Sequence, residues 1–380
     1  MSKRYFLFLF ILMHFTVEAK RKYVPDSFPQ ANFALEANIY NGMIIRHTLR
    51  FKPIITEPSF GVELAFYKTC FGKQPFERKF FYPRIGASIL AVRFGDNAIF
   101  GEAIGIFPHV SFWIKRSRIM DFYFRMGIGL AYLNKPYDYT SNSINNVIGS
   151  YLNNVTQFKF GVDWKVTDKT NLNTSFNFTH FSNSRSQSPN LGINYMALCI
   201  GVKQNFGVKK HVYNHDSLPK KIQRNFYTVG FGVALDEKVK IAYGPTYQAY
   251  NFFAQYHRAT SIANHLVGGV SLVYNRGSYA MAQIRENNES KITDRTINSL
   301  EGSIYFGDEM VLKDFGFFAQ IGIYCFLPYQ RTTFMYQKLG GVYYLPAFSK
   351  SFKGRMFIGA NLKTHLDKAE NFELRTGMRF

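Results

Sequence analysis

The sequence predicts an all-β protein: a transmembrane antiparallel β-barrel that occurs twice along the chain. Polar and apolar residues alternate over segments of about 9–14 residues, the length at which a tilted strand crosses a bilayer. Hydrophobic residues make up 47% and aromatic residues 18% of the 380 residues, yet no run of about 18 apolar residues follows residue 19. The second half of the chain also resembles the first. A secreted β-sandwich is the alternative, but its strands would be shorter and its turns would recur about every 8–12 residues.

The N-terminus has the pattern of a secretory signal peptide. Lys3 and Arg4 precede an apolar stretch, Tyr5–Phe15, and Val17–Ala19 provides a small-residue cleavage site. This pattern predicts removal of residues 1–19 and export of the mature chain. Together with the barrel prediction, it places the protein in the bacterial outer membrane as a multi-pass β-barrel.

Eight strands are expected in the first repeat, residues 30–206, with short turns such as Lys115–Arg118 alternating with longer loops such as Asn134–Thr156. We place them at Ala31–His47, Phe60–Cys70, Arg84–Phe94, Ala98–Ile114, Asp121–Leu133, Gln157–Val166, Asn171–Ser182 and Asn194–Phe206. A polar, basic linker is expected at residues 207–224. Because it is long for a tight turn, two tandem eight-stranded barrels are favoured, with one barrel of about 16 strands as the alternative.

The second repeat is expected at residues 225–380. Phe317–Thr332 parallels Tyr123–Asp138, Gly354–Lys368 parallels Lys169–Asn183, and Asn371–Phe380 parallels Met196–Phe206. These parallels predict a diverged copy of the first barrel, with an inserted polar loop near Glu286–Thr296.

The net charge of the chain predicts the class of its partner, and the number and spacing of its cysteines predict whether disulfides form. The formal net charge is +21, and in an exported protein this favours anionic lipid over nucleic acid. Cys70, Cys199 and Cys325 are odd in number and scattered, so small apolar fillers are expected rather than disulfides. His211, His215 and Asp216 fall in the linker and are interpreted as solvated, so no metal and no cofactor is predicted. The oligomeric state stays open, with a homodimer as one option.

The hairpin Asn171–Phe206 has polar residues where apolar ones are expected. His180 and Ser182 continue the apolar parity of Phe176 and Phe178, and Asn194 belongs to the apolar parity of the returning strand. In a membrane barrel this parity faces lipid, where polar side chains are costly and usually functional. A Ser two residues from a His on one strand face is about 6–7 Å away between Cα atoms, close enough for the nucleophile–base pair of acyl transfer. The alternative is a strand end in the head-group zone, where His and Ser are ordinary.

The segment His180–Asn194 resembles the active-site signature of PagL-type lipid A 3-O-deacylases, and GIGLAYLNKPYD and NNVIGSYLNN upstream resemble the same family. The resemblance covers about residues 30–206. It implies an eight-stranded outer-membrane barrel that hydrolyses an acyl ester of lipid A in lipopolysaccharide. It also implies that His180 is the general base, that Ser182 is the nucleophile, and that Asn183 or the adjacent backbone N–H groups form the oxyanion hole.

The third member of the family's triad is a Glu twelve residues after the Ser, where this chain has Asn194. An Asn can orient an imidazole by a hydrogen bond but cannot stabilise the imidazolium as a carboxylate does. Asp138 in the long loop is the nearest candidate for a replacement acid. In the second repeat His365 aligns with His180 but Asp367 aligns with Ser182, so a lumenal structural role is expected for His365. Two other functions stay open: a non-catalytic barrel (scaffold, adhesin or pore) and an outer-membrane phospholipase.

Overall fold

Alternating residues form sixteen antiparallel strands in the described part of the chain, and these strands close into two barrels. The computed structural model describes residues 30–184, 186–218, 223–237, 243–289, 294–328, 334–346, 354–365 and 368–380. The predicted signal peptide, residues 1–19, lies outside the described residues. The chain divides into two compact units, with the main boundary between Ser217 and Leu218.

Barrel one contains strands β1 to β8 and two short helices. The strands are β1 (Phe33–Ile44), β2 (Ser59–Thr69), β3 (Arg84–Arg93), β4 (Glu102–Arg116), β5 (Met120–Leu133), β6 (Leu152–Lys165), β7 (Thr170–Ser182) and β8 (Ile193–Phe206); the helices are α1 (Pro75–Lys79) and α2 (Asn97–Phe100). Each strand pairs with the next, and β8 pairs with β1 from Phe33↔Phe206 to Ile44↔Tyr195. The barrel is therefore closed by its own first and last strands.

Barrel two repeats this arrangement with strands β9 to β16. The strands are β9 (Asn225–Asp236), β10 (Tyr247–Ser261), β11 (Asn264–Asn275), β12 (Leu300–Leu312), β13 (Phe315–Phe326), β14 (Met335–Tyr344), β15 (Arg355–His365) and β16 (Lys368–Arg379); the helices are α3 (Arg276–Glu289) and α4 (Arg295–Ser299). Strand β16 closes on β9. The predicted tandem of eight-stranded barrels is confirmed, and the single larger barrel is wrong. The three sequence parallels fall on β5 and β13, β7 and β15, and β8 and β16.

The outer faces are apolar, and each lumen contains buried ion pairs; barrel one also has a hydrophobic cluster inside its loop end. On β8, for example, Leu198, Ile200 and Val202 are exposed while the intervening residues are buried. Inside barrel one, Lys203 Nζ lies 2.8 Å from Glu36 Oε2 and 2.5 Å from Asp163 Oδ2. This is the outward-apolar, inward-polar alternation of a barrel in lipid, with the lumen filled by side chains rather than open as a pore.

Two connections differ from the sequence-based expectations: the polar loop of barrel two and the segment after β8. Both described ends of the polar loop expected near Glu286–Thr296 are helical: α3 ends at Glu289, and Asp294 caps α4 by accepting a hydrogen bond from the Ile297 N–H. Residues 290–293 lie outside the described residues. The connection Phe71–Pro83 contains α1.

The beginning of the segment after β8 is docked on barrel one rather than solvated. The Tyr213 side chain is 1% exposed, and the His211 ring stacks on Phe71 with the ring centroids 4.0 Å apart. Aromatic packing explains the docking, because Tyr213 also meets the Tyr82 ring edge-on and such pairs add to the free energy of burial. Among the described residues, no helix is long and apolar enough to cross a membrane.

Candidate active site

The three predicted site residues lie together on the outer face of barrel one, on the β7–β8 hairpin. His180 is paired with Asn194 in the strand register. His180 and Ser182 share the parity of the exposed Leu172 and Phe176, whereas Thr179 and Phe181 point inward and are buried. The site thus lies at the loop end of the barrel, meaning the end opposite the N-terminus of β1 and the C-terminus of β8.

A hydrogen bond of 2.6 Å joins His180 Nδ1 to Asn194 Oδ1. Because an amide oxygen only accepts, Nδ1 carries the ring proton and Nε2 keeps its lone pair. The bond therefore selects the tautomer that a general base requires. It comes from a neutral group, so it fixes the orientation of the ring without adding negative charge.

Gly192 packs against the Cε1 edge of this ring. Its φ is +80°, and a Cβ added there would lie 2.6 Å from His180 Cε1. Both facts require glycine, because side chains are disfavoured at this φ and the ring leaves no space for one. The backbone of the loop before β8 thereby limits where the imidazole can move.

Ser182, two residues after His180 on the same strand face, is buried, and 7% of its surface is exposed. Among the described residues, Asn194 is the hydrogen-bond partner of His180, and no bond joins the ring to Ser182 Oγ. Catalytic hydrogen bonds are often long without substrate and shorten in the substrate complex. The predicted pairing of Ser182 with His180 thus stays a prediction.

Asn183, the predicted oxyanion-hole residue, is also buried, and its backbone N–H donates to Asn190 Oδ1 at 3.2 Å. An oxyanion that used this N–H would have to displace the Asn190 side chain. Its role as a donor stays a prediction as well.

Two polar residues on β6 extend the site and were missed from the sequence. Asn154 is paired with Ser182 and Thr156 with His180 in the strand register. Thr156 Oγ1 donates to Asn154 Oδ1 at 2.9 Å, and Asn154 Nδ2 donates to Gly129 O at 3.0 Å. They also lie on the outward parity, so the clue that identified His180, a polar residue on the apolar parity, would have identified them.

The long loop between β5 and β6 packs over the loop end of the barrel and bonds to the loop that contains Gly192. The Val147 carbonyl accepts hydrogen bonds from the Leu191 and Gly192 N–H groups, each at 3.0 Å, and Val147 and Ile148 are fully buried. A second histidine is held in the same place, because His47 Nε2 lies 3.0 Å from Leu191 O. The loops after β1, β5 and β7 together form one roof.

Asp138 does not act as the acid partner of His180 in this structure. Its Oδ1 accepts hydrogen bonds from the hydroxyl and N–H groups of Thr140 and Ser141 at 2.7–3.0 Å. These bonds, that of the Thr140 hydroxyl foremost, hold the pKa of the Asp138 carboxyl well below its usual range. The carboxylate organises its own turn and is not a substitute for the family's Glu.

Barrel two does not repeat the pattern. His365 shares the parity of the buried Asn361 and Lys363, and its Nε2 lies 3.0 Å from the Tyr324 hydroxyl. This position agrees with the lumenal role expected for it. Asp367, which aligns with Ser182, lies outside the described residues.

Comparison with known proteins gives two family matches. Residues 61–203 match the family described as lipid A 3-O-deacylase (PagL), and residues 222–380 match the C-terminal domain of acyloxyacyl hydrolase. Together the two matches span most of the chain. No curated protein sequence matches.

Solved structures resemble the chain only remotely. The outer membrane enzyme PagL is 12% identical, with 44% of this chain and 97% of that chain covered at a TM-score of 0.33. Neisserial surface protein A is 10% identical, with 46% and 98% covered at a TM-score of 0.32. The hydrocarbon channel TodX, as a deletion mutant, is 9% identical, with 93% and 90% covered at a TM-score of 0.18.

Proposed function

Because the chain belongs to the PagL-type family of outer-membrane lipid A deacylases, we propose that it removes the 3-O-linked acyl chain of lipid A by a Ser182–His180 mechanism. The observation that carries the proposal is the 2.6 Å bond between His180 Nδ1 and Asn194 Oδ1 on the outer face of the barrel. It presents the unprotonated Nε2 of a fixed imidazole at the height of the lipid head groups. An ester that already lies in the membrane reaches such a site by lateral diffusion within the leaflet.

In the proposed reaction the Ser182 hydroxyl gives its proton to His180 Nε2 as its oxygen attacks the ester carbonyl. Asn183 and neighbouring N–H groups stabilise the negative charge of the tetrahedral intermediate. As the intermediate collapses, the 3-hydroxyl of lipid A leaves with the proton from the imidazolium, and an acyl-enzyme remains. Water then attacks the acyl-enzyme with His180 again as base, and a 3-hydroxy fatty acid is released.

Basic residues at the loop end are proposed to bind the phosphates of lipid A. Arg46, Arg50 and Lys52 are exposed in the loop between β1 and β2, beside His47. Arginine and lysine bind phosphate oxygens through charge-assisted hydrogen bonds. Such contacts would hold the sugar head group against the roof while the acyl ester meets Ser182.

The deciding experiment is lipid A mass spectrometry after expression of Ser182→Ala in an outer membrane with an acylated substrate. We expect the deacylated species to disappear, since the nucleophile is lost. Ser175→Ala is the matched control, because Ser175 lies on the lumenal parity of the same strand. Unchanged deacylation by the folded Ser182→Ala protein would refute the assignment.

One observation supports a second candidate, a barrel without catalytic activity: the partner of His180 is a neutral amide and not a carboxylate. This candidate predicts that the native protein leaves both lipid A and phospholipids intact. The same lipid analysis separates it from a deacylase, which shortens lipid A, and from a phospholipase, which produces lysophospholipid.

A further inference from the structure

The lumen of barrel two contains a cluster of two histidines and one carboxylate that the proposed deacylation does not use. His257 on β10, His265 on β11 and Glu309 on β12 come from three adjacent strands, and all three are buried. His265 and Glu309 are directly paired in the register. The cluster lies near the end of the barrel at which β9 begins and β16 ends, since Thr228 and Arg379 border it.

The two distances from Glu309 to the histidine nitrogens fit the spacing of ligands around a tetrahedral metal ion. Glu309 Oε2 lies 3.1 Å from His257 Nδ1 and 3.5 Å from His265 Nδ1, and all three donor atoms lie within 4.8 Å of one another. Zinc binds imidazole nitrogen and carboxylate oxygen at about 2.0–2.2 Å, which places neighbouring tetrahedral ligands about 3.4 Å apart. The two distances to Oε2 bracket this value.

Two further contacts orient the metal-ligand atoms of His257 and Glu309. His257 Nε2 lies 3.1 Å from Thr228 Oγ1, which can accept its proton in a hydrogen bond, and the Arg379 guanidinium, which only donates, lies at Nδ1, so Nδ1 is the nitrogen with a lone pair. The Tyr344 hydroxyl donates to the other carboxylate oxygen of Glu309, Oε1. Metal-binding histidines and carboxylates are typically held by such outer contacts. His265 Nδ1 is buried without a hydrogen-bond partner in the described residues.

A cation already lies between two of the donors. Arg379 Nη2 is 2.5 Å from Glu309 Oε2 and 3.1 Å from His257 Nδ1. The guanidinium nitrogen therefore occupies the position proposed for a metal ion, since it contacts the same Glu309 oxygen and the same His257 nitrogen. A cavity beside His257 and Glu309, lined also by Thr228, Gln255 and Tyr344, leaves space for a water molecule as a further ligand.

We propose that His257, His265 and Glu309 form a binding site for a divalent transition metal with zinc-like preferences, and that the metal replaces Arg379. Two imidazoles and one carboxylate favour Zn²⁺ over Mg²⁺ and Ca²⁺, which prefer oxygen ligands. The bound ion links β10, β11 and β12 and so stabilises barrel two. The site is independent of the acyl-transfer site in barrel one.

Calorimetric titration of Zn²⁺ into the metal-free full chain, folded in detergent micelles, tests the proposal. We expect one ion per chain, a higher unfolding temperature with Zn²⁺, and no comparable effect of Mg²⁺. His265→Gln is the first variant: His265 Nδ1 makes no hydrogen bond in the described residues, so its removal tests metal binding without breaking such a bond. Glu309→Gln is the second variant. Each should lower the affinity by about a hundredfold or more, since loss of an outer contact alone costs about ten- to a hundredfold.

The matched controls are His211→Gln and His215→Gln, in the segment after β8, which should leave the affinity unchanged. Arg379→Gln should raise it by about tenfold or more, because a competing and repelling positive charge is removed. If zinc affinity survives in His265→Gln and Glu309→Gln, or is lost in the controls instead, the site is refuted. An unchanged affinity in folded Arg379→Gln refutes the replacement of Arg379 by the metal.

Discussion

Asn194 is the residue on which the rate of the proposed reaction depends most. As Ser182 loses its proton, His180 becomes an imidazolium, and the amide oxygen at 2.6 Å stabilises this charge less than a carboxylate would. Asn194 therefore still orients the His180 ring but stabilises the imidazolium less than a carboxylate would. The two effects can be measured separately, because one substitution at position 194 restores the carboxylate.

We expect Asn194→Glu to raise the rate of lipid A deacylation by about tenfold or more, because exchange of a triad carboxylate for an amide costs up to about 10⁴ in rate. Asn194→Leu should lower the rate, since the tautomer is no longer fixed. The measurement is the initial rate of fatty-acid release from purified lipopolysaccharide. Asn205→Glu, which adds the same charge at the other end of β8, should have no effect. A rate unchanged in both Asn194 variants would mean that this bond does not support catalysis.

Gly192 also limits the position of this ring, through its contact with His180 Cε1. Gly192→Ala should reduce the deacylation rate by about a hundredfold, because the new Cβ would displace His180 and a shift of about 1 Å in a catalytic group costs this much. Gly207→Ala is the control, since Gly207 has a similar φ of +64° and its Cβ would meet Asn32 instead. The assay is run on protein whose barrel is shown to be folded by its electrophoretic mobility without heating. Full activity in Gly192→Ala would show that the ring does not depend on this contact.

At the scale of elements, the loop between β5 and β6 is the part of the roof that contacts the Gly192 loop, and the buried Asn145 side chain determines its path. Asn145 Oδ1 accepts the N–H groups of Val147 and Ile148, and Asn145 Nδ2 donates to the Ile99 and Lys135 carbonyls. These bonds place the Val147 carbonyl against Leu191 and Gly192. The Asn145 amide thus orders the part of the β5–β6 loop that bonds to the loop positioning His180.

We expect Asn145→Ala to leave the barrel closed but to release the roof, since each buried polar group left unpaired costs about 1–3 kcal/mol. The deacylation rate should fall, and limited proteolysis should cut the loop between β5 and β6 faster than in the native protein. Ser143→Ala, at an exposed position of the same loop, is the control. If the loop of Asn145→Ala stays resistant and activity is retained, Asn145 does not hold the roof.

The strands of barrel one were predictable because their alternating residues face lipid and lumen in turn, and most observed ends lie within three residues of the predicted ones. Two starts were wrong: β4 begins at Glu102 rather than Ala98, because Asn97–Phe100 form α2, and β6 begins at Leu152 rather than Gln157. The connections were harder to predict. The polar loop predicted near Glu286–Thr296 includes the end of α3 and the N-cap Asp294. The sequence did not predict this helix because a polar helix lacks the apolar stripe that indicates one. The docked segment at Tyr213 was interpreted as solvated, because its packing depends on Tyr82 and Phe71, which are far from it in sequence.

The same limit applies to the site. His180, Ser182 and Asn194 stand out along the sequence because they break the apolar parity of their strands. Asn154 breaks it too, but its pairing with Ser182 becomes visible only with the register of β6 and β7. The metal-like cluster of barrel two was not anticipated because His257, His265 and Glu309 are brought together across three strands and have no motif spacing.

For the whole molecule, the division into two closed barrels predicts two separate unfolding transitions. Each barrel contains a buried lysine paired with glutamate: Lys159 Nζ lies 2.9 Å from Glu36 Oε1 in barrel one, and Lys338 Nζ lies 3.2 Å from Glu373 Oε2 in barrel two. Removing one partner of a buried ion pair leaves an uncompensated charge and costs about 3–5 kcal/mol. The two lysines are therefore matched probes of the two barrels.

Lys338→Met should lower the unfolding temperature of barrel two and leave lipid A deacylation below that temperature unchanged, because no strand of barrel two pairs with the β7–β8 hairpin in the described residues. Lys159→Met should lower the transition of barrel one, and activity should be lost with it. Thermal unfolding followed by circular dichroism, with activity assayed at each temperature, distinguishes the two variants. If Lys338→Met shifts both transitions or abolishes deacylation while barrel one stays folded, then barrel two contributes to the reaction itself and the two barrels act as one catalytic unit.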